Sequence, residues 1–362
     1  MNHRIEQLVA YMEQHAIDAV LITMPKHVYY LTGFATDPHE RFLGLLIPRQ
    51  AEPLLIVPAL DLEAAQAASS VKSIYTHTDT DNPYEVLTKL MPAGVQSLGL
   101  EKDYMTVSRF EAISRAVGAS VYADIDEPLR DMRVIKTPDE VVRMKHAVRI
   151  IEDVLRAGIS QVKPGVSEIE LVAELEYQMK KLGASGPSFS TMVLAGENSA
   201  LPHGVPGSRV VREGELLLFD LGVYADGYAS DITRTFAVGD ISAEQTKIYN
   251  TVLAANLRGI EATRPGATLA SLDRAAREHI ESAGYGPYFM HRLGHGLGMD
   301  VHEYPSVHGQ NQDVLRSGMV FTIEPGIYVP GIGGVRIEDD VLVTDGGVEV
   351  LTTFPKELTV IG

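Results

Sequence analysis

The second half of the chain contains a weak internal repeat. "LRAGISQVKPGVSEIELVAELEYQMKKLGASGP" (155–187) is echoed by "LRGIEATRPGATLASLDRAAREHIESAGYGP" (257–287), and in each copy a basic residue, a proline and a glycine precede an amphipathic helix. Gly165 and Gly183 are spaced as Gly266 and Gly284 are, and each copy ends in Gly-Pro, so the two share a register and not merely a helical composition. Two copies are too few for a solenoid, in which stacked neighbours bury one another's apolar faces. Each copy is followed instead by β-rich sequence, "LLLFDLGVY" (216–224) after the first and "VFTIEPGIYV" (320–329) after the second. This predicts an α+β body with a pseudo-twofold axis, paired helices over sheet, and a site where the two halves meet.

The first part of the chain is patterned differently. Helix-like stretches (5–15, 60–68 and 107–117) alternate with short apolar runs such as "AVLIT", "EPLLIVP" and "SVYADI", which reads as an α/β domain. Near residue 130 the chain supplies a strong helix start: Thr137 as N-cap, Pro138 in the first helical position and Glu140 to close a capping box. The predicted division is therefore an α/β domain over 1–130 and an α+β domain over 131–362.

Charge and composition narrow the chemistry. With 31 Lys and Arg against 48 Asp and Glu the formal net charge is −17, which argues against a nucleic-acid partner, since phosphate contacts need clustered cations. There is no cysteine, so any metal must be held by oxygen and imidazole, a donor set suited to Mn, Co, Mg or Zn. The N-terminal stretch "MNHRIEQLVAYMEQHAIDAVLIT" has no signal-type apolar region and the chain has no 18-residue apolar span, so a cytoplasmic protein with no membrane partner is expected.

The acids of interest sit in apolar surroundings. In "LLLFDLGVYADGYASDITRTF" two β-prone runs flank a turn at Ala225-Asp226-Gly227, which predicts a hairpin. Asp220 and Asp231 lie an odd number of residues apart, so an even-numbered loop would bring them to one face. A buried carboxylate beside another is unfavourable unless a proton or a cation compensates, and a cation explains the pair economically. Thr233 and Thr235 are candidates to orient such ligands. His295 lies between Gly294 and Gly296 in "RLGHGLGMDVHEYP", where glycines let backbone approach closely and an imidazole could face a metal. His302 and His203, the latter in "LPHG", are further candidates, although any one histidine has an ordinary structural explanation. Downstream, Glu324 and Glu338 each follow an isoleucine in strand-like runs. They are an even number apart, so "PGIYVPGIGG" must act as an irregular or odd-length connection if both are to aim at one point. Together Asp220, Asp231, His295, Glu324 and Glu338 suit two hard divalent cations about 3.5–4 Å apart.

These motifs, in this order, resemble a known family. FDLG followed by GYASDITRT, then GHGLG with a downstream HEYP, then TIEPGIY and GGVRIEDD are similar to the pita-bread metallopeptidases that include Xaa-Pro dipeptidases (prolidases), Xaa-Pro aminopeptidases and methionine aminopeptidases. "HVYYLTGF" (27–34) resembles the N-terminal domain of the creatinase and prolidase branch. The resemblance implies an α/β N-terminal domain, a pita-bread catalytic domain and a homodimer. It implies that Asp220 binds one metal, that Asp231 and Glu338 bridge both, and that His295 and Glu324 complete the second. Glu324 would accept a proton, His203 and His302 would hydrogen-bond the peptide carbonyl, and Arg336 would orient the substrate or anchor its carboxylate. The expected cofactors are two divalent ions, Mn2+ first, with Co2+ and Zn2+ as alternatives, and the expected partners are small peptides with proline second. Ser306 stands where some prolidases carry an arginine for the dipeptide carboxylate, so hydrolysis of Xaa-Pro dipeptides leads and action on longer Xaa-Pro peptides stays open. A metal-free creatinase-like hydrolase and a non-catalytic pita-bread binding protein are the remaining alternatives, and both are disfavoured by the complete ligand set.

Overall fold

A computed structural model describes residues 2–362. The chain divides into two compact units that meet between Arg133 and Val134. The division anticipated at 130/131 falls inside the helix Asp126–Val134, and the capping box just beyond it forms: Thr137 Oγ1 accepts from the Glu140 amide at 3.3 Å and Glu140 Oε2 from the Thr137 amide at 2.8 Å.

The first unit is an α/β layer. Its six-stranded mixed sheet runs Ser73–His77, Leu54–Pro58, Gly44–Pro48, Ala19–Ile22, Ser97–Leu100 and Val121–Asp124 in spatial order. The central strands are continuous apolar runs because both faces are covered. "HVYYLTGF" forms the helix Pro25–Thr32, whose N-cap Met24 has no capping side chain. Buried Glu101 sits at this helix start, accepting from the amides of Thr23 (2.6 Å) and Met24 (3.0 Å) and pairing with His27 Nδ1 (2.6 Å). The helical stretch at 60–68 divides into a 3-10 turn, Ala59–Asp61, and a helix, Leu62–Ala68.

In the second unit the sequence repeat becomes a structural one. Helices Pro138–Ile159 and Glu168–Lys181 pair in the first half, and Ala243–Ala262 and Leu269–Ser282 in the second. Gly183 and Gly284 occupy the same place after their helices, at φ 95° and 91°, in the left-handed region open to glycine. The next residues then bond back alike, Ala184 N to Met179 O at 3.0 Å and Tyr285 N to Ile280 O at 3.1 Å. Each half has its own core, one joining Leu155, Leu171 and Phe219, the other Val252, Leu272 and Phe321. The first sheet orders Val360–Ile361, Ile232–Val238, Glu215–Leu221 and Met192–Ala195. The second orders Glu303–Val307, Gly294–Gly296, Val320–Ile323, Asp339–Thr344 and Gly347–Val350. Among the described residues no helix is long and apolar enough to cross a membrane.

Candidate metal centre and active site

Two hairpins and one short strand bring the acids and the imidazole to one cavity. In the first hairpin Leu221 pairs with Ile232 and Asp220 with Thr233. Continuing that register sets Asp231 diagonally across from Asp220 on the same face. The connection is more elaborate than a simple loop: it contains a second small hairpin, Val223–Ala225 with Tyr228–Ala229, turning at Asp226 (φ 51°) and Gly227 (φ 79°). In the second hairpin Ile323 pairs with Asp339, and beyond a break Gly326 pairs with Arg336. Both pairs belong to one register, closed by the three residues 330–332, so Glu324 comes opposite Glu338. That odd-length loop is the connection the even spacing demanded. His295 enters from the strand Gly294–Gly296. A Cβ at Gly294 would overlap the carbonyl oxygen of Thr322, and one at Gly296 that of Tyr304, so only glycine lets the imidazole come so close to the neighbouring backbones.

The cavity, of about 320 Å³, is lined by all five candidate ligands together with His203, His302 and Arg336. Ligand atoms of Asp231, His295 and Glu338 lie within 4.8 Å of one another. His295 Nε2 is 3.3 Å from Glu324 Oε1 and 3.7 Å from Asp231 Oδ2. Its Nδ1 lies 3.1 Å from the Gly296 carbonyl, which assigns the proton there and turns the Nε2 lone pair inward. Burial pushes this imidazole down to about 3, with His302 adding to the effect, so it is neutral and ready to ligate.

The carboxylates show the complementary strain. Burial, followed by repulsion from Glu338 and Asp220, raises Asp231 well above the usual range, and Oδ1 of Asp231 has no hydrogen-bond partner. Burial likewise raises Glu338, with Glu324 and Asp220 next, and it pushes Glu324 up to about 7. Each has one oxygen held from behind: Thr233 Oγ1 donates to Glu338 Oε2 at 2.6 Å, and Thr322 Oγ1 to Glu324 Oε1 at 3.2 Å. Converging anions with lone pairs to spare, one buried oxygen unpartnered, and a neutral imidazole fit divalent cations by charge and by donor type.

The supporting residues sort themselves by contact. Thr233 donates to Glu338, a candidate ligand, whereas Thr235 exchanges hydrogen bonds with the backbone of Arg336. Arg336 lines the cavity, but all three guanidinium nitrogens are engaged: Nε with Thr233 Oγ1 (3.0 Å), Nη1 with the Tyr328 hydroxyl (2.8 Å) and Nη2 with Asp220 Oδ2. It holds Asp220 in position. His203 and His302 are exposed at the cavity. His302 packs edge-on against His295, with ring centroids 4.1 Å apart. Asp340 accepts from the Asp231 amide at 3.2 Å and so steadies a ligand's backbone. Three polar lining residues, His291, Arg292 and Tyr328, were not among the sequence candidates. His291 bonds Tyr328 at 2.9 Å, and Arg292 donates to Ser306 Oγ at 3.2 Å. His291 and Arg292 stand beside the GHG motif and were open to suspicion, but Tyr328 looked like any strand aromatic until the fold turned it inward.

A cluster of acids and an imidazole that could hold divalent cations, on this fold, points to a class of metal-dependent enzyme. Residues 142–345 match metallopeptidase family M24, and residues 4–135 match the creatinase/prolidase N-terminal domain. The chain belongs to metallopeptidase family M24: it is a hydrolase with a creatinase-type N-terminal domain and a pita-bread catalytic domain. It is 45% identical over 362 residues to a Bacillus subtilis (strain 168) protein named "Putative dipeptidase YkvY", covering 99% of this chain and 100% of the relative. Among solved structures it is similar to the prolidase from Pyrococcus horikoshii OT3, with a TM-score of 0.93, 38% identity and coverage of 99% and 100% of the two chains. It is also similar to the X-Pro aminopeptidase from Thermotoga maritima MSB8, at 0.91, 34%, 99% and 100%.

Proposed function

We propose that the protein is a cytoplasmic, homodimeric Xaa-Pro dipeptidase that works with two divalent cations, Mn2+ in first place and Co2+ or Zn2+ as alternatives. The observation that carries the reading is the cluster of buried, mutually repelling carboxylates around a neutral His295 at the wall of a small cavity. In this reading Asp220, Asp231, His295, Glu324 and Glu338 would hold the cations. Bound cations supply Lewis acidity that makes water a nucleophile near neutral pH. Glu324, steadied by Thr322, accepts the proton from the attacking water and passes it to the departing proline nitrogen. His203 and His302 donate hydrogen bonds to the carbonyl oxygen as it gains charge. Arg336 acts through Asp220, as a positioning residue.

Two features favour a dipeptide over a longer substrate. A cavity of about 320 Å³ is at the small end for ligand sites. Arg292 lines it beside Ser306, and a dipeptide brings a free carboxylate that a guanidinium can bind in place of the arginine absent at 306. The test is metal-stripped protein reloaded with Mn2+, Co2+ or Zn2+ and assayed on an Xaa-Pro dipeptide and an Xaa-Pro-Xaa peptide. Preference for the dipeptide is expected. Preference for the longer peptide makes the protein an Xaa-Pro aminopeptidase, and metal-dependent hydrolysis of neither would sink the proposal.

A further inference from the structure

We infer that the buried ion pair between Lys136 and Glu303 is a positioning device for His302, an inference that rests on the proposed role of His302 as a donor to the substrate carbonyl. Lys136 Nζ lies 2.5 Å from Glu303 Oε1, with the two side chains 2% and 9% exposed. Removing both charges from water is expensive, and such a pair is a weak source of stability compared with apolar packing; its best use is to specify geometry. Lys136 is itself anchored, its amide donating to the Gly318 carbonyl at 2.8 Å.

Glu303 is where that geometry is needed. The strand Gly294–Gly296 pairs His295 with Ser306 but Gly296 with Glu303, a register shift that leaves the turn between the strands unspecified by the ladder. The Glu303 carboxylate organises this turn from within. Oε2 accepts from the Asp300 amide at 3.4 Å, and a Cβ on Gly298 would lie 2.6 Å from Oε1, so the turn closes around the carboxylate. His302, the next residue back, has an exposed ring lining the cavity. That ring packs edge-on against His295. Among the described residues no hydrogen bond aims the imidazole, so its direction follows from the backbone that Glu303 and Lys136 hold.

The test is a double-mutant cycle with a spectroscopic arm. Glu303→Gln in otherwise intact, metal-loaded protein is expected to lower kcat/KM for an Xaa-Pro dipeptide by about tenfold to a hundredfold, the scale of small misplacements in a site. In a His302→Ala background the same change should cost less than about twofold, because the residue it acts through is gone. Lys136→Met should behave as Glu303→Gln does, and Lys136→Arg should retain most activity. In metal-stripped protein carrying labelled histidine, the NMR signal of His302 should shift or broaden in Glu303→Gln while that of His295 stays. Should Glu303→Gln fail to fold, Glu303→Asp, which keeps the charge and shortens its reach, is put through both arms. Equal losses in the two backgrounds, or an unchanged His302 signal, would overturn the inference. A wild-type protein inactive on every Xaa-Pro peptide would instead fail the functional reading, with the NMR arm still judging the ion pair.

Discussion

Thr233→Val isolates the contribution of one hydroxyl to the metal centre. Thr233 is fully buried; its Oγ1 donates to Glu338 Oε2 at 2.6 Å and accepts from Arg336 Nε at 3.0 Å, so it links a ligand to the arginine that holds Asp220. Valine keeps the shape and removes both bonds. A hydrogen bond to a charged group is worth about 1.5–3 kcal/mol, and it is lost here where no water can replace it. Charged to metal binding, about 1.4–2.7 kcal/mol is a tenfold to hundredfold weaker affinity, the range seen when groups behind metal ligands are removed. The assay is titration of stripped Thr233→Val with Mn2+ by calorimetry, beside wild type and Thr233→Ser. Thr233→Ser, which restores the hydroxyl, should recover most of the affinity. Affinity of Thr233→Val within about twofold of wild type would refute the reasoning, because the hydrogen bond would then have no hold on the ligand.

Other perturbations test other parts of the site. Stripped protein should release protons on loading at pH 7, because burial raises Asp231, Glu338 and Glu324 (about 7), and affinity should fall as pH drops from 8 to 6; Mn2+ calorimetry without dependence on buffer ionisation enthalpy would contradict this. Glu324 titrates higher folded than unfolded, so its contribution to the stripped fold is greatest at low pH and is lost as pH rises through about 7, which thermal unfolding from pH 5 to 8 can follow. Arg336→Met leaves Asp220 and the neighbouring acids without their buried counter-charge and should destabilise stripped protein by about 3–5 kcal/mol, read from denaturant unfolding. Gly294→Ala drives a methyl into the Thr322 carbonyl and should cost about 3 kcal/mol while weakening Mn2+ binding, since His295 moves with the strand.

Local chemistry announced much of this protein in its sequence. The capping box at Thr137, the glycines that end both repeat helices, and the Asp226-Gly227 turn depend on residues a few positions apart, and each forms as its local pattern dictates. The five candidate ligands stood out because acids and an imidazole in apolar runs need compensation wherever the chain puts them. What the sequence left open was relative placement. Glu324 and Glu338 share a point only because a three-residue loop carries one register across a break between two short sheets. Arg336 read as a cation for substrate, and only the fold shows that its guanidinium also reaches Thr233, Tyr328 and Asp220. Lys136 and Glu303 are 167 residues apart, and nothing near either one announces the other. Residue type and short-range spacing determine which groups cannot stay buried alone; which partner each one finds is decided by long-range packing, where strand register and core closure set distances that no local pattern encodes.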